Sequence, residues 1–261
     1  MLWVLDLDGV VWLAGRPIPG SPEAVARLRA AGEQVAFVTN NAGPTVADHV
    51  AALAHAGVDA EPGEVVSSAQ AAAAMLAPGS TAAYVGGDGI PEALTARGVH
   101  VVGAADHPAA VVVGRAPRLD YDELAAAATA IRGGARFVAT NTDSTFPTPE
   151  GLLPGAGAVI AYLATAAGRA PEVAGKPHPP VAALVRDRFG GAGMVVGDRL
   201  DTDGAFAAAV GAPFALVLTG VSGRADIDPD APPALVADDL AAAVAAVLDA
   251  HTDGGARRPL G

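Results

Sequence analysis

The chain of 261 residues contains no cysteine. That absence excludes a disulfide framework and a thiolate zinc site. Aromatic residues make up only 4% of the chain, so alanine, valine and leucine must fill any core. Lysine occurs once, at Lys176, against 15 arginines (16 Lys+Arg less that one). No Lys/Arg cluster stands out, and the formal net charge is −12. A nucleic-acid-binding face normally needs the opposite sign, so the acid excess reads as ordinary solubilisation. No window reaches the roughly 18 uninterrupted apolar residues of a membrane span. The first residues form a strand-like run, with no charged segment followed by an apolar one ahead of it. The expectation is a soluble cytoplasmic protein with neither a nucleic-acid nor a membrane partner.

Hydrophobic residues supply 51% of the chain, and 32 Gly and 21 Pro punctuate it without a fixed period. Apolar strand-like runs alternate with helical stretches, which argues for an α/β protein with a Rossmann-like, doubly wound parallel sheet. The rhythm restarts near residue 80. The middle third resembles a second α/β unit inserted into the first, with residues 1–76 and 175–261 as core and 77–174 as insert. Residues 9–20 are expected to form a loop. Ser21-Pro22-Glu23 is expected to open a helix with Ser21 as its cap, running to Gly32. Thr45 to Asp48 has the form of a capping box. The Pro/Gly-rich stretch 141–157 is expected to be a loop facing the substrate, and 251–261 a frayed tail. Gly86-Gly87-Asp88-Gly89 lacks the G-x-G-x-x-G spacing of a dinucleotide site.

Chemistry gathers where apolar runs end. Leu2-Trp3-Val4-Leu5 leads straight into Asp6-Leu7-Asp8-Gly9, and two carboxylates at the end of a buried strand are costly unless compensated. Thr39-Asn40-Asn41 follows a second such run, and Asp198 and Asp203 follow a third. In open α/β sheets, sites form beyond the carboxyl ends of strands. Lys176 lies between the second and third clusters, and its compact charge suits a phosphate or a buried carboxylate. Together these groups point to phosphoryl transfer. Carboxylates from two strands can hold Mg²⁺. One carboxylate can attack phosphorus, and a second, two residues on, can move the proton.

Asp6-Leu7-Asp8-Gly9-Val10, Val38-Thr39-Asn40-Asn41, Gly175-Lys176-Pro177 and Gly197-Asp198-Arg199-Leu200-Asp201-Thr202-Asp203 occur in this order. The set resembles the four motifs of the haloacid dehalogenase superfamily, in the form carried by its NagD-like branch. That resemblance implies a phosphatase with a C2-type α/β cap inserted between the second and third motifs. It implies Asp6 as nucleophile and metal ligand, and Asp8 as general acid/base with its carbonyl on the metal. Gly9, Thr39, Asn40 and Asn41 would surround the phosphoryl oxygens, and Lys176 would neutralise phosphate and Asp6. Asp198 would be a further ligand to Mg²⁺, supported by Arg199 and by Asp203, which would orient a metal-bound water or Lys176. The implied substrate is a small phosphate monoester such as phosphoglycolate, glycerol phosphate, or a sugar or nucleotide phosphate. A homodimer through the cap is also implied. A phosphotransferase or mutase stays open, as does a receiver-type signalling module. Thr140-Asn141-Thr142-Asp143 departs from the family's Thr-Asn-Pro-Asp. Gly204 stands where an aliphatic residue is usual and is expected to loosen the following helix.

Overall fold

The structure, a computed structural model, describes residues 1–116, 118–148 and 151–255. In chain order it runs β1 (Leu2–Leu5), β2 (Trp12–Leu13), β3 (Arg16–Pro17), α1 (Ser21–Ala30), β4 (Gln34–Thr39), α2 (Val46–His55), β5 (Val65–Ser67) and α3 (Ser68–Ala74). There follow β6 (Thr81–Val85), α4 (Gly89–Ala96), β7 (His100–Val101), β8 (Ala110–Val113), α5 (Tyr121–Arg132), β9 (Arg136–Ala139), β10 (Thr145–Thr148), β11 (Gly151–Pro154) and α6 (Ala156–Ala167). The chain continues with β12 (Glu172–Val173), α7 (Pro179–Phe189), β13 (Met194–Gly197), α8 (Ala205–Val210), β14 (Phe214–Val217), β15 (Leu235–Ala237) and α9 (Leu240–Gly255).

Two parallel sheets organise these elements. The first has the order β15-β14-β13-β1-β4-β5 and the second β12-β9-β8-β6-β7. In the first sheet, side-chain alternation divides the core into two layers. Trp3, Leu5 and Phe37 face one layer with Val25 and Leu28 of α1 and Val244 of α9. Leu2, Val4 and Val38 face the other, with α3, α7 and α8. Both faces are covered, which is why these strands read as unbroken apolar runs. The second layer continues through Ala69, Ala72 and Leu76 to Ile90, Leu94 and Val112, so one apolar cluster joins both sheets.

From β1 the chain winds outward through β4 and β5, then returns to the other side of β1 for β13, β14 and β15. The order therefore reverses at β1 and β13, and the crevice beyond their carboxyl ends is where such sheets bind ligands. Asp6 and Asp198 are the first residues past those two strands.

Several expectations need correction. Residues 9–20 hold a small hairpin, with Trp12 opposite Pro17. The cap of α1 is Gly20, at φ 86°, with no side-chain cap bond. Ser21 Oγ instead donates to the Val10 carbonyl at 2.8 Å. The stretch 141–157 contains the antiparallel pair β10 and β11. Its prolines suggest a loop, yet proline is tolerated in a two-stranded ribbon, where every strand is an edge. Strands β5, β12 and β15 have three residues or fewer, too short for a period to register. Helix α9 runs on to Gly255, so part of the expected tail is helical. Residues 256–261 of that tail lie outside the described residues. Gly204 does not simply loosen a helix: a Cβ there would stand 3.3 Å from the Phe214 ring, so the site is crowded. The glycines at 87 and 89 serve close backbone approach, since a Cβ at either would meet backbone atoms of Gly43 or Pro44.

Candidate active site

The floor of the crevice is built by β1 and β13. The Asp6 amide still continues the sheet, donating to the Val196 carbonyl at 3.0 Å. The chain then turns tightly, with the Leu7 carbonyl accepting from the amides of Val10, Val11 and Trp12. Gly9 is required in this turn: its φ is +80°, and a Cβ would collide with the Asp198 carboxylate. The turn leaves Asp6 facing Lys176 and points Asp8 at Trp12, whose Nε1 donates to Asp8 Oδ1 at 3.1 Å.

Lys176 Nζ donates to Asp6 Oδ1 and to Asp203 Oδ1, each at 2.7 Å. The lysine is only 5% exposed. Burial alone would lower its pKa, but Asp203 and Asp6 outweigh burial and raise it, so the ammonium is held charged. Asp203 comes from a π-helical turn, Leu200–Gly204, of the kind often found at functional sites. Its second oxygen accepts the Arg199 amide at 3.2 Å. Arg199 pairs through its guanidinium with exposed Asp201 at 2.7 Å and lines the crevice.

Asp198 Oδ2 accepts the Val221 amide at 2.7 Å, while Asp198 Oδ1 is buried with no hydrogen-bond partner. Burial first, then repulsion from Asp6 and Asp203, pushes the Asp198 pKa up to about 7. Burial likewise raises Asp203 to about 6 against the pull of Lys176. Burial pushes Asp6 upward, and Lys176 opposes it. Three clustered carboxylates thus stand around one lysine, which bonds two of them, an arrangement short of positive charge. Asp6, Asp198 and Asp203 each offer an oxygen within 4.8 Å of the others. Both Asp203 oxygens are engaged, so Asp6 and Asp198 are the donors free to meet a cation. Hard carboxylate oxygens and an orphaned buried one suit Mg²⁺.

The second motif closes the crevice from β4. Thr39 Oγ1 accepts the Asn41 amide at 3.0 Å, which leaves its proton free to donate. Asn41 Oδ1 accepts the Gly43 amide at 3.2 Å. Asn40 turns away from the floor and links the two sheets. Its Oδ1 accepts the Lys176 amide at 2.8 Å, and its Nδ2 donates to Asp143 Oδ2 at 3.2 Å. The Asn141 side chain returns a bond to the Asn40 carbonyl at 2.6 Å. His178 stands at the cap position of α7 without a side-chain cap bond.

The structure thus brings Asp6, Asp8, Gly9, Thr39, Asn40, Asn41, Lys176, Asp198 and Arg199 onto one cavity of about 120 Å³, with Asp203 behind Lys176. Arg115, Asp143 and Phe146 complete its wall and were not singled out from the sequence. Arg115 lies just past β8, so the rule that sites form at strand carboxyl ends could have found it in the second sheet. Asp143 had a signal in its motif, and Phe146 had none. Burial raises the pKa of Asp143 and of Asp8, opposed in Asp8 by the Trp12 hydrogen bond.

The chain is similar to known proteins over most of its length. Residues 3–100 match the model of the haloacid dehalogenase-like hydrolases, and residues 173–243 match a second, HAD-hydrolase-like model. The chain belongs to the haloacid dehalogenase-like hydrolase family, among relatives that are phosphatases. It is 42% identical to the D-glycerol 3-phosphate phosphatase of Mycobacterium tuberculosis over 85% of this chain, and spans 64% of that protein's length. It is 34% identical to the acid sugar phosphatase of Staphylococcus aureus, covering 93% of this chain and 96% of that one. The glycerol phosphate phosphatase of M. tuberculosis solved with magnesium superposes with a TM-score of 0.86 at 40% identity, over 92% of this chain and 75% of that chain.

Proposed function

We propose that the chain is a Mg²⁺-dependent phosphatase of small phosphate monoesters, with Asp6 as nucleophile. The observation that carries this reading is the Asp6 carboxylate fixed by Lys176 beside the buried, unpartnered Asp198 Oδ1. Asp6 attacks phosphorus and the ester P–O bond breaks. Asp8, whose pKa burial raises against the Trp12 hydrogen bond, gives its proton to the departing alkoxide oxygen. Water then attacks the aspartyl-phosphate, losing a proton to Asp8, and the bond between phosphorus and Asp6 breaks to release phosphate. Thr39 and the backbone around Asn40 and Asn41 orient the phosphoryl oxygens. Lys176 neutralises charge, and Asp203 with Arg199 holds Lys176 in place. Asp6, Asp198 and the Asp8 carbonyl would hold the cation, which when bound supplies Lewis-acid neutralisation of phosphoryl charge.

Residues 1–76 and 175–261 form the catalytic unit in this reading, and 77–174 the cap that shields the reaction from bulk water. The hairpin β10–β11 brings Phe146 over the cavity in support of that role. Exposed Leu152 and Leu153 on the same hairpin suit contact with a second copy through the cap. Among the described residues no helix is long and apolar enough to cross a membrane. Substrates drawn from the relatives' activities are glycerol phosphate and phosphorylated sugars.

A screen of small phosphate esters with Mg²⁺ tests the reading. Inorganic phosphate release is expected, lost in EDTA and lost by at least about a thousandfold in Asp6→Asn with Tm retained. Undiminished turnover in either condition contradicts it. Consumption of ester without net phosphate release would instead mark a phosphotransferase.

A further inference from the structure

Arg115 is the one arginine on the cavity wall that has no ionic or hydrogen-bonded partner among the described residues. Arg199, by contrast, is paired with Asp201. The Arg115 guanidinium carbon lies 4.0 Å from the centroid of the Phe146 ring. Its Nε is buried and makes no hydrogen bond. Two elements hold it there. Gly114, at the end of β8, donates to the Val85 carbonyl at 2.8 Å. A Cβ at Gly114 would stand 2.9 Å from Thr140 Oγ1, so the backbone beside Arg115 is closely packed. Phe146, from β10, sets its ring against the guanidinium carbon. A cation held over an aromatic ring keeps its N–H donors for other partners.

The position of that fork matters. The acid whose field reaches Arg115 is Asp8, the residue assigned to the leaving oxygen. The phosphoryl charge already has its own partners in Lys176 and the cation donors at Asp6 and Asp198. Arg115 shares the cavity with Asp8 and Phe146 and is a preset cation there awaiting an anion. A planar guanidinium matches a carboxylate through two parallel hydrogen bonds.

We propose that Arg115 anchors a carboxylate carried by the leaving alcohol, so that the preferred substrates are phosphate monoesters of hydroxy acids, acidic sugars included. This rests on the reading of Asp6 and Asp8 given above. Arg115 is a specificity residue in this account, and Phe146 is the residue that positions it. Removal of a charge-assisted pair should cost about ten- to a hundredfold in the constant that contains it.

Kinetics of wild type, Arg115→Met and Arg115→Lys with phosphoglycolate, glycerol phosphate and p-nitrophenyl phosphate test the proposal. Wild type should prefer phosphoglycolate to glycerol phosphate. Arg115→Met should lose at least about tenfold more kcat/KM on phosphoglycolate than on the two esters without a carboxylate, chiefly through KM. Arg115→Lys should recover part of the loss. Equal losses on all three esters would place Arg115 on the phosphoryl group or in the fold, and overturn the proposal. A loss confined to glycerol phosphate would mean hydroxyl recognition and would also overturn it. Calorimetric binding of phosphoglycolate to Asp6→Asn, with and without Arg115→Met, gives the same comparison without turnover. There, the second substitution should weaken phosphoglycolate more than inorganic phosphate, and equal weakening overturns the anchor. Absence of wild-type turnover on every ester would sink the phosphatase reading alone, since the binding comparison still judges Arg115.

Discussion

Asp6 and Asp8 are two residues apart and meet different surroundings. Asp6 faces a fixed ammonium at 2.7 Å, whereas Asp8 faces an indole N–H at 3.1 Å and, among the described residues, no cation within ion-pair distance. One intervening residue, buried Leu7, makes that split possible by anchoring the turn. These two acids, Lys176 and Asp198 were legible because strand ends and an isolated lysine are sequence signals. Arg115 was hidden among fourteen other arginines, and its meaning comes only from Phe146, which is distant in sequence. His49 was not legible either. It is buried on α2, and its Nε2–H donates to the Asn41 carbonyl at 3.2 Å. Burial pushes its pKa below the ordinary value, against Asn41, Asp48 and Glu92. The unfolded chain therefore binds the proton more readily. The fold should be fully stable on this count above about pH 6.5 and lose stability as pH falls from there toward the depressed folded value. A comparison of Tm against pH for wild type and His49→Gln checks this. The wild type should fall more steeply than the variant between about pH 7 and 5, and parallel curves would contradict it.

Helix α2 illustrates how much an element's boundary can be read in advance. Thr45 accepts the Asp48 amide at 3.1 Å, and Asp48 returns a bond to the Thr45 amide at 3.0 Å, the capping box visible in the sequence. What the sequence could not disclose is the third partner: Glu92 of α4 accepts the Val46 amide at 2.8 Å, so the second sheet helps cap a helix of the first. Thr45→Ala should cost about 1 kcal/mol. For a chain of this size that is about 2–4 °C in Tm by calorimetry, and an unchanged Tm would deny the cap its role. The hairpins at β2–β3 and β10–β11 escaped the reading because short strands with proline carry turn-like composition. The long buried strands did not escape it, because burial on both faces leaves an unmistakable apolar run.

At the scale of the molecule, two parallel sheets share one apolar cluster through α3 and α4, and the segments that carry them meet again where Asn40 bonds Asn141 and Asp143. The presence of a second α/β unit was legible in the restarted rhythm near residue 80. Its contacts with the first were not, since they join residues as far apart in sequence as Asn40 and Asn141. Asn40 was expected on the phosphoryl group through its backbone, and its side chain turns out to pin the Lys176 backbone and Asp143. Asn40→Ala leaves the Lys176 amide without its acceptor and should cost about 1–3 kcal/mol of stability. It should also lower kcat, because Lys176 loses its register against Asp6. Denaturant unfolding with parallel kinetics checks both, and an unaltered kcat would remove Asn40 from the positioning of Lys176.

In the proposed mechanism Asp6 becomes phosphorylated during turnover. Rapid acid quench during turnover of a phosphate ester with Mg²⁺, followed by peptide mass spectrometry, tests it most directly. A transient phosphoryl group is expected on the peptide bearing Asp6, absent in Asp6→Asn and accumulating in Asp8→Asn when the leaving group is p-nitrophenol, which departs without a proton. Steady release of inorganic phosphate with no phosphoryl group on Asp6 at any quench time, or with one on another residue, would contradict it.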